Sequence, residues 1–211
     1  MDSYTEKAIT VVRRLILDGH FKPGDRINEV ELASSLGISR SRLREALRRF
    51  ESEGLIHHVA HYGSFVPEFG VNETAELYEL REALEGMAAR LTAQRADIKS
   101  VIELREFLNE TRAAIDVDDE PHYPRDMDFH KRIFTLAGNK HLAQRGQEVD
   151  WQLSLTRSRS AYRPDRARQA YKEHVAIMDA IEAGDPRLAE EAMRSHLRSS
   201  FANVRRTQEL S

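Results

Sequence analysis

Apolar positions recur at helical spacing almost from the start of the chain. Ile9, Val12, Leu15 and Ile16 share one face of a helix expected over Tyr4 to Asp18, which Gly19 ends before Pro23-Gly24 turns the chain. Asn28 with Glu31 three residues on is a capping-box pattern, so a short second helix is expected up to Leu36. After the turn Leu36-Gly37-Ile38, Ser39 is placed to cap a third helix whose Leu43, Ala46, Leu47 and Phe50 pack inward. The pattern then changes. Two short β-prone runs, residues 54–59 and 64–66, flank Ala60-His61-Tyr62-Gly63 and predict a hairpin, hence a winged helix-turn-helix.

Beyond a boundary near Pro67 to Val71 the pattern is helical throughout, which divides the chain into domains at 1–70 and 71–211. Six helices are expected, over about residues 72–95, 97–115, 123–137, 140–158, 165–183 and 185–207. The first turns Leu77, Leu80, Leu84, Met87, Ala88 and Leu91 inward, and Gly184-Asp185-Pro186 joins the last two helices tightly. The expected fold is therefore mainly α, a winged helix-turn-helix followed by an all-α six-helix bundle. Trp151, on the fourth bundle helix, is either an interface anchor or a core residue.

Composition narrows the function classes. Of 211 residues, 40% are hydrophobic and 32% charged, and no run reaches the roughly 18 apolar residues needed to span a bilayer. The start, Met1 to Glu6, lacks a basic region followed by an apolar core, and the absence of cysteine excludes disulfides and thiolate metal sites. A cytoplasmic protein with no membrane association is expected. The net charge of −3 does not suggest a nucleic-acid binder. Charge is unevenly placed, however: residues 1–70 hold ten basic and ten acidic side chains, and Arg40, Arg42, Arg44, Arg48 and Arg49 crowd one helix against a single Glu45. Cations at the positive end of a helix dipole destabilise it, so an anionic partner, double-stranded operator DNA, is expected to offset the cost.

Pro23-Gly24-Asp25-Arg26-Ile27-Asn28-Glu29, Leu32-Ala33, Leu36-Gly37-Ile38-Ser39-Arg40, Arg44-Glu45-Ala46-Leu47 and Glu53-Gly54-Leu55-Ile56 resemble the winged-helix domain of the GntR family of bacterial transcription regulators, over nearly all of residues 4–69. The resemblance implies that Ser39 and Arg40 at the start of the recognition helix, Arg44 four residues on, and Gly63 at the wing tip contact DNA. Arg42 stands where many members carry proline and Tyr62 where a basic residue is common, so the operator sequence stays open. Arg42 and Arg48 are expected to meet mainly phosphates.

A second constellation lies in the bundle. Asp126 and His130 are four apart on the third expected helix and so share a face. His174 lies 11 residues before Asp185 and His196 lies 11 after it. At about 1.5 Å per residue both are about 16 Å from the turn, side by side in an antiparallel hairpin. The four can converge on a divalent metal; three imidazoles and a carboxylate suit zinc, nickel, iron or manganese better than calcium or magnesium. Single histidines on amphipathic helices more often pack or face solvent, and His20, His57, His58, His61, His122 and His141 are read that way.

The segments Asp126 to His130 with Ala137-Gly138-Asn139, Glu173 to Ile177 with Ala180 to Asp185, and Met193 to Leu197, together with Arg81 and Glu85, are similar to the FCD effector domain of the FadR subfamily, in its VanR-like six-helix branch. The acyl-CoA-responsive prototype of that subfamily lacks the histidine set, so a fatty acyl ligand is not expected. The resemblance makes Asp126, His130, His174 and His196 the metal ligands, zinc first. It implies a small carboxylate effector at open coordination positions, paired with Arg81 and helped by Arg157 or Arg159. Arg81 could equally form an ion pair with Glu85 within the bundle. The implied protein is a homodimeric, ligand-responsive regulator, expected to be a repressor and not an enzyme, with the first and fourth bundle helices as the dimer surface. Two alternatives are a metal-sensing regulator without organic effector and a metal-dependent hydrolase, in which Glu173 is the one carboxylate available as a base and is expected to face away.

Overall fold

Asn28 and Ser39 cap as their positions predict. In the computed structural model, which describes residues 3–117, 128–156 and 164–208, the Asn28 side chain accepts from the amides of Val30 and Glu31 at 3.2 and 3.3 Å. These caps open α2 (Glu29–Ser35) and α3 (Arg40–Ser52), which follow α1 (Ser3–Leu17) and β1 (Arg26–Ile27). The wing is β2 (His57–Val59) and β3 (Gly63–Phe65). β1 was not legible as a strand. It pairs antiparallel with β3, Arg26 against Phe65 and Ile27 against Ser64, in a three-stranded sheet of order β1-β3-β2. Two residues are too few to display alternation.

The chain divides into two units, the first Met1–Asn72 with Asp150–Thr156. Its core is Ile9, Val12 and Ile16 of α1, Leu32 of α2, Leu43, Ala46, Leu47 and Phe50 of α3, and Leu55, Ile56 and Val66 around the wing. Trp151 packs against this core, with the Arg13 guanidinium 4.0 Å above its ring. Arg13 also donates from Nη2 to both oxygens of Glu53, at 2.8 and 2.7 Å.

The second unit, Glu73–Val149 with Arg157–Ser211, draws on α4 (Val71–Arg95), α5 (Ile98–Val117), α6 (Phe129–Leu136), α7 (Lys140–Thr156), α8 (Pro164–Glu182) and α9 (Pro186–Gln208). Leu104, Phe107 and Leu108 of α5, Phe129, Ile133 and Phe134 of α6, Ile177, Met178 and Ile181 of α8, and Met193 and Leu197 of α9 form its core. α8 and α9 make the expected antiparallel hairpin about Gly184, which adopts φ +61°. No helix among the described residues is long and apolar enough to cross a membrane.

Two expectations need correction here. α4 buries only part of the expected inner set: Ala88 is buried and Leu84 and Leu91 pack against the core, but Leu80 and Met87 are 48% and 41% exposed, while Thr74, Tyr78, Arg81, Glu85 and Thr92 are buried. The helix carries apolar residues on two sides, so periodicity alone draws the buried stripe too wide and takes in Leu80 and Met87. The third bundle helix starts at Phe129, because Asp128 is an extended cap (φ −91°, ψ 94°) whose side chain accepts from the amide of Lys131. The described helix thus starts later than the expected start near residue 123, and Asp126, the carboxylate expected beside His130, lies outside the described residues.

Gly146 lets α7 approach α6. A Cβ there would stand 2.1 Å from Cζ of the buried Phe134 ring. Gly146→Val is expected to cost about 1–3 kcal/mol of stability through overpacking. Urea unfolding measures this, and an unchanged midpoint would mean that the ring has room to swing aside.

Candidate nucleic-acid interface and candidate metal centre

Burial of Leu43, Ala46, Leu47 and Phe50 against the winged-helix core leaves the opposite side of α3 outward. Ser39, Arg40, Arg42, Arg44 and Arg48 are all exposed there. The Ser39 hydroxyl accepts from the Arg42 amide at 3.3 Å, so it caps the helix and still presents its O–H at the leading turn. Arg44 donates from Nε to Glu29 of α2 at 2.7 Å, with its side chain 58% exposed. That pair orients Arg44 without hiding it, and an exposed pair contributes only about 0–1 kcal/mol, so a phosphate or base edge can displace Glu29. Arg49 is also exposed and donates to Glu53 at 3.2 Å.

At the wing, Gly63 has φ +103°, a left-handed conformation that side chains resist. The Arg26 side chain lies beside it, Nε 3.5 Å from where a Gly63 Cβ would be. Arg26 is a wing cation that the sequence did not disclose, since only the pairing of β1 with β3 brings it there. Tyr62, 68% exposed, follows His61 at the turn.

In the second unit, His130 on α6, His174 on α8 and His196 on α9 meet. One ring nitrogen from each falls within 4.8 Å of the others, and the ring centroids are 4.5 to 5.1 Å apart. His174 and His196 are buried, at 2% and 3% exposure. Their Nε2 atoms are 3.2 Å apart. Two imidazole nitrogens each about 2.1 Å from one ion and about 90–110° apart would be about 3.0–3.4 Å from each other, so this donor pair fits a transition metal as it stands. Phe129 stacks on His174 with centroids 4.6 Å apart and walls the site on that side.

Carboxylates hold the rings from behind. Glu85 meets His130 Nδ1 through one oxygen and accepts from Arg81 Nε at 2.5 Å through the other. Arg81 thus forms the buried intra-bundle ion pair that was one of its two sequence readings, and it stands one residue removed from the imidazoles. Glu173 does not face away as expected. Its Oε2 lies 2.7 Å from His196 Nδ1 and accepts from Arg166 Nη1 at 2.8 Å, while Oε1 accepts from Ser199 at 2.7 Å and Gln169 at 2.9 Å. Helical register around His174 gave no sign of this, because Glu173 serves the next helix and not its own neighbour.

These contacts set the charges. Burial opposes ionisation of Glu85, but Arg81 and His130 outweigh it and hold the carboxyl down to about 2. For Glu173, burial is likewise outweighed, here by hydrogen bonds from His196, Ser199 and Arg166, and its value is also about 2. Burial pushes His196 down to about 4 against the pull of Glu173, and burial with the neighbouring imidazoles takes His174 well below its usual range. His174 and His196 are thus held as neutral imidazoles, the state in which histidine binds metal, and the carboxylates of Glu85 and Glu173 are ionised. Arg157 and Arg159, like Asp126, lie outside the described residues.

The chain matches the FCD domain over residues 76–199 and the bacterial regulatory proteins of the gntR family over residues 5–66. It is 38% identical to the Nta operon transcriptional regulator of Aminobacter aminovorans over 138 residues, 65% of this chain and 66% of that protein. It is 30% identical to the probable D-xylose utilization operon transcriptional repressor of Paenarthrobacter nicotinovorans over 185 residues, 86% and 80% of the two. Among solved structures it shares the fold of E. coli McbR/YncC, with a TM-score of 0.81 at 22% identity, covering 98% of this chain and 99% of that one.

Proposed function

The chain belongs to the GntR family of DNA-binding transcriptional regulators and carries an FCD domain, and from that premise we propose that it is a homodimeric repressor whose operator affinity depends on a divalent metal and a small carboxylate in the FCD domain. Both families and the relatives named above are regulators, which removes the hydrolase reading. The observation that carries the proposal is the convergence of the ring nitrogens of His130, His174 and His196. Asp126 is the expected fourth ligand, and zinc the first choice of ion, with nickel, manganese or iron also compatible with the donor set. When bound, the metal supplies open coordination positions for a carboxylate oxygen. Arg81, held by Glu85, adds a buried positive charge for such an acid, and Arg157 and Arg159 are proposed to assist.

At the other end, Arg40 and Arg44 are proposed to reach base edges, Ser39 and Gly63 the sugar-phosphate backbone, and Arg42 and Arg48 phosphates. One helix-turn-helix reads few bases, so a two-fold dimer on a palindrome is expected. The exposed Leu80 and Met87 on α4 support that helix as part of the contact. Repression is favoured by the function named for the Paenarthrobacter relative.

The test is a gel shift on a selected operator with metal-free protein, zinc alone, and zinc plus a panel of small carboxylic acids. Because coupling is reciprocal, an acid that weakens operator binding must itself bind more weakly when operator is present, by the same factor. A response to zinc alone would support the metal-sensing alternative, and no response in any arm would sink the effector role.

A further inference from the structure

Two of the three imidazoles end in the same arrangement, built from different helices. Arg81 Nε donates to Glu85, whose other oxygen meets His130 Nδ1. Arg166 Nη1 donates to Glu173 at 2.8 Å, and the same oxygen sits 2.7 Å from His196 Nδ1. In each case a guanidinium faces a carboxylate and the carboxylate faces a ring nitrogen. A carboxylate held ionised by an arginine can only accept, so each Nδ1 must carry the hydrogen, and a neutral ring then keeps its lone pair on Nε2.

We propose that Arg81–Glu85–His130 and Arg166–Glu173–His196 are two positioning relays that fix these rings as Nε2 donors toward a divalent transition metal, with Glu85 and Glu173 as positioning residues and not ligands. The inference deepens the metal-centre reading and rests on it. A role in stability alone explains the geometry less well. A buried ion pair is weak evidence for stability, and Glu173 would already be satisfied by Arg166, Ser199 and Gln169 without His196. Both carboxylates nevertheless end on Nδ1 of rings that converge with His174. Carboxylates placed behind metal-bound histidines set the tautomer, hold the ring plane and raise ligand basicity, and their loss typically weakens metal binding about 10–100-fold.

The full chain, stripped of metal, is titrated with cobalt(II) chloride and followed by visible absorption and calorimetry, for wild type, His174→Ala, Glu173→Gln and Glu85→Gln. Thermal unfolding without metal checks that each variant folds. Wild type should take one ion per chain at this centre and His174→Ala none. The two glutamine variants should keep the stoichiometry and bind about 10–100-fold more weakly. Binding by Glu173→Gln and Glu85→Gln within twofold of wild type would overturn the relays and leave the metal centre standing. Wild type that binds no cobalt, or His174→Ala that binds it equally well, would overturn the centre itself. Long-range nitrogen–proton NMR of the imidazoles needs no variant: metal-free wild type should show His196 and His130 protonated at Nδ1, and a proton on Nε2 alone would sink the proposal.

Discussion

Zinc added to the metal-free chain is expected to raise its unfolding free energy by about 4 kcal/mol at a free concentration a thousand times Kd. Because only the folded α6, α8 and α9 bring His130, His174 and His196 together, a metal held by them would bind the native state and not the unfolded one. For a chain of this size the melting temperature should move on the order of 10 °C. His174→Ala should remove most of that increment. In the metal-free state it should cost about 1–3 kcal/mol, since it leaves a cavity and removes the buried Nε2–Nε2 hydrogen bond to His196 at 3.2 Å. Differential scanning calorimetry with and without zinc decides it. An equal zinc-dependent shift in wild type and His174→Ala would place the metal elsewhere on the protein.

The second large effect is on DNA. Arg40→Ala and Arg44→Ala should each weaken specific operator binding by about 1–3 kcal/mol if each contacts a base, so the double variant loses on the order of 10²–10⁴-fold. Arg48→Ala should instead weaken specific and random DNA alike and reduce the salt dependence by about one phosphate. The contrast tests the geometry of α3, in which Arg40 and Arg44 lie one turn apart and Arg44 is already oriented by Glu29 at 2.7 Å. Binding curves at several salt concentrations separate the cases. Equal losses on operator and random sequence for Arg44→Ala would reduce it to a phosphate contact.

Much of this was legible beforehand, for different reasons at different places. Ser39 and Asn28 cap because capping is local: a side-chain oxygen reaches amides two or three residues on, whatever the rest of the fold does. The meeting of His174 with His196 followed from equal distances to the Gly184 turn, since two helices of fixed rise must be in register when joined tightly. Where a helix has two apolar sides, as in α4, pattern places Ala88, Leu84 and Leu91 correctly but also turns the exposed Leu80 and Met87 inward. Where a cap falls inside an apparently continuous pattern, as at Asp128, the described helix starts later than its periodicity suggests.

The sequence by itself determined what depends on near neighbours: the helices, the winged helix-turn-helix, the arginine-bearing face of α3 and the α8–α9 register of two histidines. Only the tertiary structure decided which residues of α4 are buried, that Glu85 and Glu173 stand behind imidazoles on other helices, that Arg26 reaches the wing, and that Trp151 packs with the winged-helix core. The reason is physical. Local hydrogen bonding and helical rise are set within a few residues, whereas the partner of a buried charge or ring is chosen by desolvation and packing among segments far apart in the chain, and no short-range pattern encodes that choice.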